Sequence, residues 1–185
     1  MIIGVTGSFG SGKSSVSHML ARLLKAKIID ADKIAKSMLY RRDVIRQIKN
    51  AFPEAVSKWT VNRKKLASIV FRNKQMLAKL EKIIHPPVTR EIKERIKGDV
   101  VLDVPLLIEA GLHEMCDAVI VVRCKEKIRI KRLMKKGFSL QEIKARTSMQ
   151  LPLKKKIAHA DYTIDNSRSL KETEQQVKQI LKKIS

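Results

Sequence analysis

The sequence predicts an α/β fold in which helices flank a parallel sheet. Three observations support this: five short apolar segments, amphipathic segments between them, and a length of 185 residues, which suits one domain with a sizeable core. The apolar segments are residues 2–6, 27–29, 100–104, 118–122 and 162–164. Three of them are rich in Val and Ile without polar alternation, which is typical of fully buried parallel strands. We therefore expect five parallel strands joined by helical crossovers.

The segments between the predicted strands carry apolar residues at helical spacing. These segments are residues 14–25, 33–39, 64–82, 88–96, 126–135, 140–146 and 169–184. Residues 64–82 could form one helix or two. Pro86 and Pro87 predict a break in the helical pattern before it resumes, because proline lacks the backbone N–H that a helix interior needs.

The net charge is high and unevenly distributed. The chain has 40 Lys+Arg against 18 Asp+Glu, a formal net charge of +22. Of these 22 excess charges, 20 fall in residues 31–99 and 126–157, whereas the segments that hold the predicted strands are nearly neutral. We therefore expect a core formed by residues 1–30, 100–125 and 158–185, with two basic helical excursions. Such a charge favours polyanionic partners, namely phosphate substrates, nucleic acid or an anionic membrane surface.

Several broad classes of protein are excluded by the composition. No run reaches the ~18–20 consecutive apolar residues of a membrane span, and the first residues show no secretory signal. Cys116 and Cys124 lie outside any Cys/His cluster, so neither a disulfide framework nor a zinc site is expected. We therefore predict a cytoplasmic protein with no membrane association.

The strongest motif lies directly after the first predicted strand. Residues 7–14 read Gly-Ser-Phe-Gly-Ser-Gly-Lys-Ser, which matches the phosphate-binding loop G-x-x-x-x-G-K-[ST]. Its glycines let backbone N–H groups surround phosphate oxygens, and the next helix directs its positive N-terminus at the same phosphates. Lys13 is expected to reach the β- and γ-phosphates, and Ser14 to ligate Mg²⁺. The predicted ATP-binding residues here are Gly7, Ser8, Phe9, Gly10, Ser11, Gly12, Lys13, Ser14 and Ser15.

A phosphate-binding loop by itself does not identify a reaction, because kinases, switches, motors and helicases share it. The chain is too short for the additional lobes of most helicases and motors, and it has no Asn-Lys-x-Asp guanine signature. A small kinase fits better, with one excursion over the acceptor and a basic lid over the donor.

Acidic residues follow two of the predicted strands. Asp30 and Asp32 come after the second strand, and Asp103 lies at the end of the third. Ligands of parallel sheets bind beyond the carboxyl ends of the strands. Either Asp30 or Asp32 could orient an acceptor hydroxyl and take its proton, or cap the helix that follows. Asp103 is either a carboxylate that supports Mg²⁺ or an ordinary turn residue, and Glu109 would lie on the same rim.

Several separated motifs together resemble those of the dephospho-coenzyme A (dephospho-CoA) kinase family. They are Thr6-Gly7 through Lys13-Ser14, Ile29-Asp30-Ala31-Asp32, Asn62 through Leu66 with Val70-Phe71, His85-Pro86, Asp103 through Glu109, Arg132-Leu133-Met134, Gln150, and Ala160 through Asn166. The phosphate-binding loop is shared by many families, whereas the other motifs in this order are far more specific. The chain thus resembles a P-loop kinase with a helical acceptor-binding domain and a small helical lid.

This resemblance implies transfer of the ATP γ-phosphoryl group to the ribose 3′-hydroxyl of dephospho-CoA, the last step of coenzyme A synthesis, with Mg²⁺ as cofactor. It implies that residues 31–99 bind dephospho-CoA and that residues 126–157 form the lid. The catalytic residues that it implies are Asp32 as the base, Lys13, and Arg132, which closes over the transferred group. It further implies adenine binding near Asn166, acceptor binding by Asp30, His85, Leu106 and Glu109, and metal binding by Ser14 and, through water, Asp103. Lys136 and Gly137 depart from the family pattern, which usually has Arg and Asp there.

Two other functions stay open on the sequence alone: a kinase for nucleosides or nucleotides, and an ATP-dependent nucleic-acid-binding protein. The charge favours nucleic acid, but aromatic residues make up only 4% of the chain, and stacking platforms need them beside basic residues. We therefore expect only weak, sequence-independent binding to nucleic acid. We also predict that Trp59 contributes to packing and that the lysines at 154–156 form a solvated helix face.

Overall fold

The computed structural model describes residues 1–70 and 73–184. The family motif that includes Phe71 therefore extends outside the described residues. The chain divides into two compact units. The first comprises Met1–Asp30 and Ile96–Ser185, and the second comprises Ala31–Arg95.

The helices and strands alternate along most of the chain. In chain order they are β1 (Ile2–Gly7), α1 (Lys13–Leu24), β2 (Lys27–Asp30), α2 (Ala31–Met38), α3 (Arg42–Ala51), β3 (Val56–Ser57), β4 (Thr60–Val61), α4 (Arg63–Val70), α5 (Lys74–Arg95), β5 (Val100–Asp103), β6 (Ala118–Arg123), α6 (Glu126–Lys135), α7 (Leu140–Ser148), α8 (Leu153–Ala158), β7 (Tyr162–Asp165) and α9 (Leu170–Ile184). Two short 3₁₀ helices cover Pro53–Ala55 and Leu112–Met115.

The first unit is built on a five-stranded parallel sheet with the strand order β2-β5-β1-β6-β7. Its central strands are buried along nearly their whole length, as their uninterrupted Val and Ile content predicts. Residues of α1 and α9, among them Leu20 and Val177, join Val5 and Ile120 of the sheet in one hydrophobic core. The predicted five-stranded parallel sheet flanked by helices is confirmed.

The second unit is helical except for the short antiparallel hairpin β3-β4. Helix α5 packs against α2, α3 and α4. The hydrophobic core of the second unit contains one buried residue from each of α2, α3, α4 and α5, namely Ile34, Ile48, Leu66 and Ile92. No helix in the described parts of the chain is long and apolar enough to cross a membrane.

The second unit also differs from the sequence prediction. Helix α5 continues through Pro86 and Pro87, where a break was predicted. Proline removes the N–H that would bond the preceding turn, but Val88 and Ile92, just beyond the prolines, are buried and hold the segment in register. Burial therefore outweighs the local cost. Helix α3 was not predicted. The hairpin was not predicted either, because its turn has neither Gly nor Asn.

Candidate active site

The phosphate-binding loop lies at the carboxyl end of the central strand. Strand β1 ends at Gly7 and α1 begins at Lys13, so the loop leads straight into a helix N-terminus whose first N–H groups have no partner within the helix. Gly10 and Gly12 have φ angles of 81° and 90°, which side chains other than glycine rarely adopt. A Cβ atom at Gly12 would also overlap the side-chain amide of Asn166. The loop therefore needs glycine for both conformation and space.

Lys13 forms an ion pair with Asp103 in this structure. Their side chains are only 12% and 3% exposed, respectively, so the pair is shielded from solvent. Asp103 ends β5, where it is in register with Val5 of β1 and Asp30 of β2. The sheet thereby places two carboxyl-bearing residues at its carboxyl edge, and one of them fixes the lysine of the loop.

The remaining loop residues differ in exposure. Ser14 and Ser15 are exposed in the first turn of α1, whereas Ser11 is buried. Among the described residues, the buried hydroxyl of Ser11 has no hydrogen-bond partner. The exposed Ser14 hydroxyl is the one in the motif position that ligates a nucleotide-bound metal.

The side chain of Asn166 anchors the phosphate-binding loop. It is 3% exposed, and its Nδ2 donates a 2.8 Å hydrogen bond to the carbonyl of Ser11. Thr173 of α9 donates a 3.0 Å bond to the Asn166 Oδ1 atom. Asn166 thus joins the loop to α9, and its side chain serves the loop backbone.

Phe9, at the tip of the loop, is held by the segment 126–157. The Phe9 N–H donates a 2.8 Å bond to Gln150, and the Phe9 carbonyl accepts a 3.0 Å bond from the buried guanidinium of Arg129. Arg129 also donates to the hydroxyl of Thr147 on α7 at 3.0 Å. Both polar backbone groups of Phe9 are therefore satisfied by a residue of α6 and a residue just after α7.

An aromatic cluster supports the same contact. The rings of Phe9 and Phe138 meet edge to face with their centroids 5.3 Å apart. The guanidinium of Arg146 lies 5.3 Å from the centroid of Phe9 and 5.0 Å from that of Phe138. These cation–π contacts place a fixed positive charge beside the loop.

Arg132 lies on α6, near the turn after β7. Its Nη1 donates a 2.8 Å hydrogen bond to the carbonyl of Asn166. The same atom donates a longer hydrogen bond, of 3.7 Å, to the sulfur of Cys124. A guanidinium has five N–H donors. The bonds through Nη1 therefore leave most of its donors for other acceptors.

A buried lysine connects α8 to the loop after β5. Lys156 is fully buried, and its Nζ donates to Glu109 Oε1 at 2.8 Å and to the Pro105 carbonyl at 2.6 Å. The Thr6 hydroxyl donates to the same carbonyl at 3.0 Å. Burial lowers the pKa of Lys156, Glu109 opposes that shift, and the charge of Lys13 adds to it.

The other acceptor-side candidates lie in several places. Leu106 is half-buried in the turn between Pro105 and Glu109. Asp30 is the last residue of β2, and Asp32 lies in the first turn of α2, in the second unit. His85 is half-buried within α5, immediately before the two prolines.

Sequence reasoning missed Arg129 and Lys156 and gave Gln150 no role. The prediction that the lysines at 154–156 form a solvated face is wrong for Lys156, although Lys154 and Lys155 are exposed. A signal was present, because Lys156 takes the place of an apolar residue in the stripe with Leu153 and Ile157 on α8. The prediction that Trp59 packs is also wrong, because its side chain is 57% exposed.

The donor set fits a magnesium ion that is carried by a nucleotide. Within residues 1–70 and 73–184, no three His, Cys, Asp or Glu side chains form a metal cluster. Mg²⁺ usually keeps several waters and takes only one or two protein oxygens beside substrate phosphates. The exposed hydroxyl of Ser14 and the buried carboxylate of Asp103 are oxygen donors of that kind.

Comparisons with known proteins agree with this geometry. The dephospho-CoA kinase family model matches residues 1–172. The dephospho-CoA kinase of Carboxydothermus hydrogenoformans is 41% identical, over 98% of this chain and 93% of its own length. The solved dephospho-CoA kinase of Campylobacter jejuni is 28% identical with a TM-score of 0.70, over 100% of this chain and 96% of that one. A shikimate kinase from Acinetobacter baumannii, 16% identical with a TM-score of 0.60 over 99% of this chain and 92% of that one, shares the fold alone. This chain belongs to the dephospho-CoA kinase family.

Proposed function

We propose that this chain transfers the γ-phosphoryl group of ATP to the ribose 3′-hydroxyl of dephospho-CoA, which completes coenzyme A. The observation that carries the proposal is an intact phosphate-binding loop, with Lys13 fixed by Asp103, in a chain that matches the family model over residues 1–172. Nothing in the described site favours a nucleoside or nucleotide kinase over this reaction.

ATP binds, in this proposal, at the loop and the N-terminus of α1. Backbone N–H groups of the loop surround the phosphates, apart from those of Phe9 and Ser11, which bond Gln150 and the Ser8 carbonyl. Lys13 bonds the β- and γ-phosphate oxygens. Ser14 and, through water, Asp103 would hold Mg²⁺, which when bound would neutralise the phosphate charge. The turn at Asn166 lies beside the adenine. Because the Asn166 side chain bonds the Ser11 carbonyl, its part is to position the loop.

The acceptor hydroxyl is activated by a carboxylate. We assign this role to Asp32, which follows the carboxyl end of β2 by two residues, so its Cα lies within about 7 Å of that of Asp30. Asp32 takes the proton of the 3′-hydroxyl while the hydroxyl oxygen forms a bond to the γ-phosphorus. The bond between the γ-phosphorus and the oxygen that bridges it to the β-phosphate breaks, and its electron pair leaves with ADP. We further assign acceptor binding to Asp30, Leu106 and Glu109 of the first unit and, separately, to His85 of the second unit.

The segment 126–157 serves as the lid, and the second unit serves as the acceptor domain. Support for the lid comes from Arg129 and Gln150, which bond both polar groups of Phe9 in the loop. Arg132 is the lid arginine, and its remaining donors suit a phosphoryl group because a guanidinium can bridge two oxygens. The second unit carries all of the excess charge of residues 31–99, which suits an anionic acceptor.

Two further properties belong to the proposal. The surplus positive charge should bind nucleic acid weakly and without sequence preference, through release of counterions from the phosphates. Cys116 and Cys124 are free thiols, which suits a reducing cytoplasm.

An acceptor panel tests the reaction. ADP release should be fast with dephospho-CoA and close to background with adenosine, AMP or an oligonucleotide. The Lys13→Ala variant should release no ADP, since it lacks the cation placed against the β- and γ-phosphates. Because it also leaves the buried Asp103 without its cation, its folding is checked by circular dichroism, and Lys13→Ala/Asp103→Asn, which leaves a neutral group, should be equally inactive. Preference for AMP or adenosine, or turnover that depends on the oligonucleotide, would instead support one of the alternative functions.

A further inference from the structure

The turn of the hairpin β3-β4 is built from two residues that rarely occupy such a turn. Lys58 and Trp59 have φ angles of 44° and 63°, in the left-handed region where glycine and asparagine are favoured. A bulky residue there is a conformational outlier. The conformation carries the indole of Trp59 outwards, where it is 57% exposed. The chain thus holds its single tryptophan at the surface of a basic unit, at a conformational cost.

The surroundings of Trp59 are cationic. A groove of about 480 Å³ is lined by Arg42, Asp43, Arg46 and Trp59. Asp43 is neutralised by Arg41, whose Nη2 lies 2.9 Å from the Asp43 Oδ2 atom. Arg42 and Arg46 are exposed on α3, one turn apart. The acidic residue in the lining of the groove, Asp43, is paired with Arg41, so the lining keeps a net positive charge.

The row of cations continues along the helix. Lys49 follows Arg46 on the same face of α3, and its Nζ lies 5.6 Å from the centroid of the Trp59 ring. From residue 42 to residue 49 the helix rises about 10 Å. The groove therefore presents the Trp59 ring beside Arg42 and Arg46, and Lys49 extends the row of cations beyond the lining, over the Trp59 ring.

We infer that this groove binds a single-stranded nucleic acid, with a base stacked on Trp59 and successive phosphates against Arg42, Arg46 and Lys49. An aromatic ring beside a row of cations suits single strands, because the ring stacks on a base and the cations bind phosphates, and every nucleotide has both. A duplex would meet the cations but could not offer an unstacked base. The inference rests on the proposed binding of nucleic acid and adds its site.

The test uses Trp59 as its own reporter, because it is the only tryptophan in the chain. Oligothymidylate titrated into the full-length protein, without ATP or dephospho-CoA, should quench the indole fluorescence, and a duplex of equal length should quench it much less. With a labelled oligonucleotide, Trp59→Ala should weaken binding about tenfold or more, and Trp59→Phe should retain most of the affinity.

A matched pair of double variants separates the site from diffuse charge. Arg42→Gln/Arg46→Gln and Lys182→Gln/Lys183→Gln each remove two exposed cations, the second pair from α9. The first should lower the slope of log Kd against log salt by about 1.4, which is two phosphate contacts at ~0.7 each. The second should leave the slope nearly unchanged.

Four results would overturn the inference. Equal effects of the two double variants, or binding without a change in Trp59 fluorescence, would leave electrostatic binding intact but remove the site. Quenching by dephospho-CoA that displaces the oligonucleotide, with a raised KM for dephospho-CoA in Trp59→Ala, would assign the groove to the acceptor. Absence of any oligonucleotide binding at low salt would reject both the site and the proposed nucleic-acid binding, while the kinase assay would be unaffected.

Discussion

Buried charges show how single residues shape this site. Asp103 and Lys156 are almost completely buried, and each has a partner of opposite charge, Lys13 and Glu109 respectively. A buried charge without a partner is costly, whereas a paired and hydrogen-bonded one is tolerated. Lys156 also bonds the carbonyl of Pro105. These residues therefore fix the backbone directly after β5, where the proposed acceptor side begins.

Lys156→Met should destabilise the protein by about 3–5 kcal/mol, because it leaves the carboxylate of Glu109, 17% exposed, without its cation. The double variant Lys156→Met/Glu109→Gln should recover part of this loss, since the remaining group is neutral. Urea denaturation of the three proteins measures the difference. A double variant that is no more stable than Lys156→Met would contradict the assigned pairing.

The same variant has a predicted pH dependence. The folded-state pKa of Lys156 lies below its ordinary value of 10.5. Between these two pKa values the unfolded chain holds a proton that the folded protein has released, so rising pH favours folding through this group. The stability of the wild type relative to Lys156→Met should therefore increase as pH rises towards 10.5. The difference in free energy of unfolding between the two proteins, measured by denaturation across that pH range, should grow as pH rises. A difference that shrinks would show that the pKa of Lys156 is not lowered in the folded protein.

The assignment of the base is also tested at this scale. Asp32→Asn keeps the shape of the side chain but cannot take the hydroxyl proton, so kcat should fall by ~10²–10⁴-fold with little change in ATP affinity. Asp30→Asn is the matched control and should lower kcat much less. If Asp30→Asn shows the large loss and Asp32→Asn is nearly silent, Asp30 is the base.

At the level of elements, the loop depends on α6 and α7 for its shape. Arg129 joins the carbonyl of Phe9 to Thr147, and its side chain is only 8% exposed. A hydrogen bond from a charged donor contributes about 1.5–3 kcal/mol. The loop that binds phosphate is therefore stabilised by residues more than a hundred positions away in the chain.

Arg129→Met should raise the KM for ATP about tenfold, because Phe9 loses the donor that holds the loop tip. Lys131→Met removes the same charge from an exposed position of the same helix and should leave the KM nearly unchanged. Steady-state kinetics with ATP varied at saturating dephospho-CoA decides between the two. An equal rise in both variants would indicate a loss of general electrostatic attraction.

The elements differ in how far the sequence predicts them. The buried strands could be predicted because their apolar runs are short and rich in the β-branched residues Val and Ile. Helix α5 could not, because burial of Val88 and Ile92 overrides the local effect of two prolines. The loop could be predicted because its chemistry lies in eight consecutive residues. The partners of Phe9 could not, since Gln150 is 141 positions away and only the fold brings them together.

At the scale of the whole molecule, the excess charge lies in the segments between the sheet strands: part of it in the second unit, and the rest in residues 126–157 of the first unit. The strands of the first unit are nearly neutral, whereas residues 31–99 and 126–157 hold 20 of the 22 excess charges. The chain leaves the sheet after Asp30 and returns to the first unit at Ile96. Charge therefore accompanies the segments proposed to meet the two phosphorylated substrates, and the neutral sheet supplies the scaffold.

The position of the transferred phosphate tests the central claim most directly. The enzyme, with ATP and Mg²⁺, is given dephospho-CoA or an otherwise identical acceptor that lacks the ribose 3′-hydroxyl, and the products are examined by phosphorus NMR and mass spectrometry. We predict one new phosphomonoester, on the 3′ oxygen of dephospho-CoA, and no phosphorylation of the 3′-deoxy acceptor. Phosphate at another position, or equal turnover of the 3′-deoxy acceptor, would contradict the proposed function.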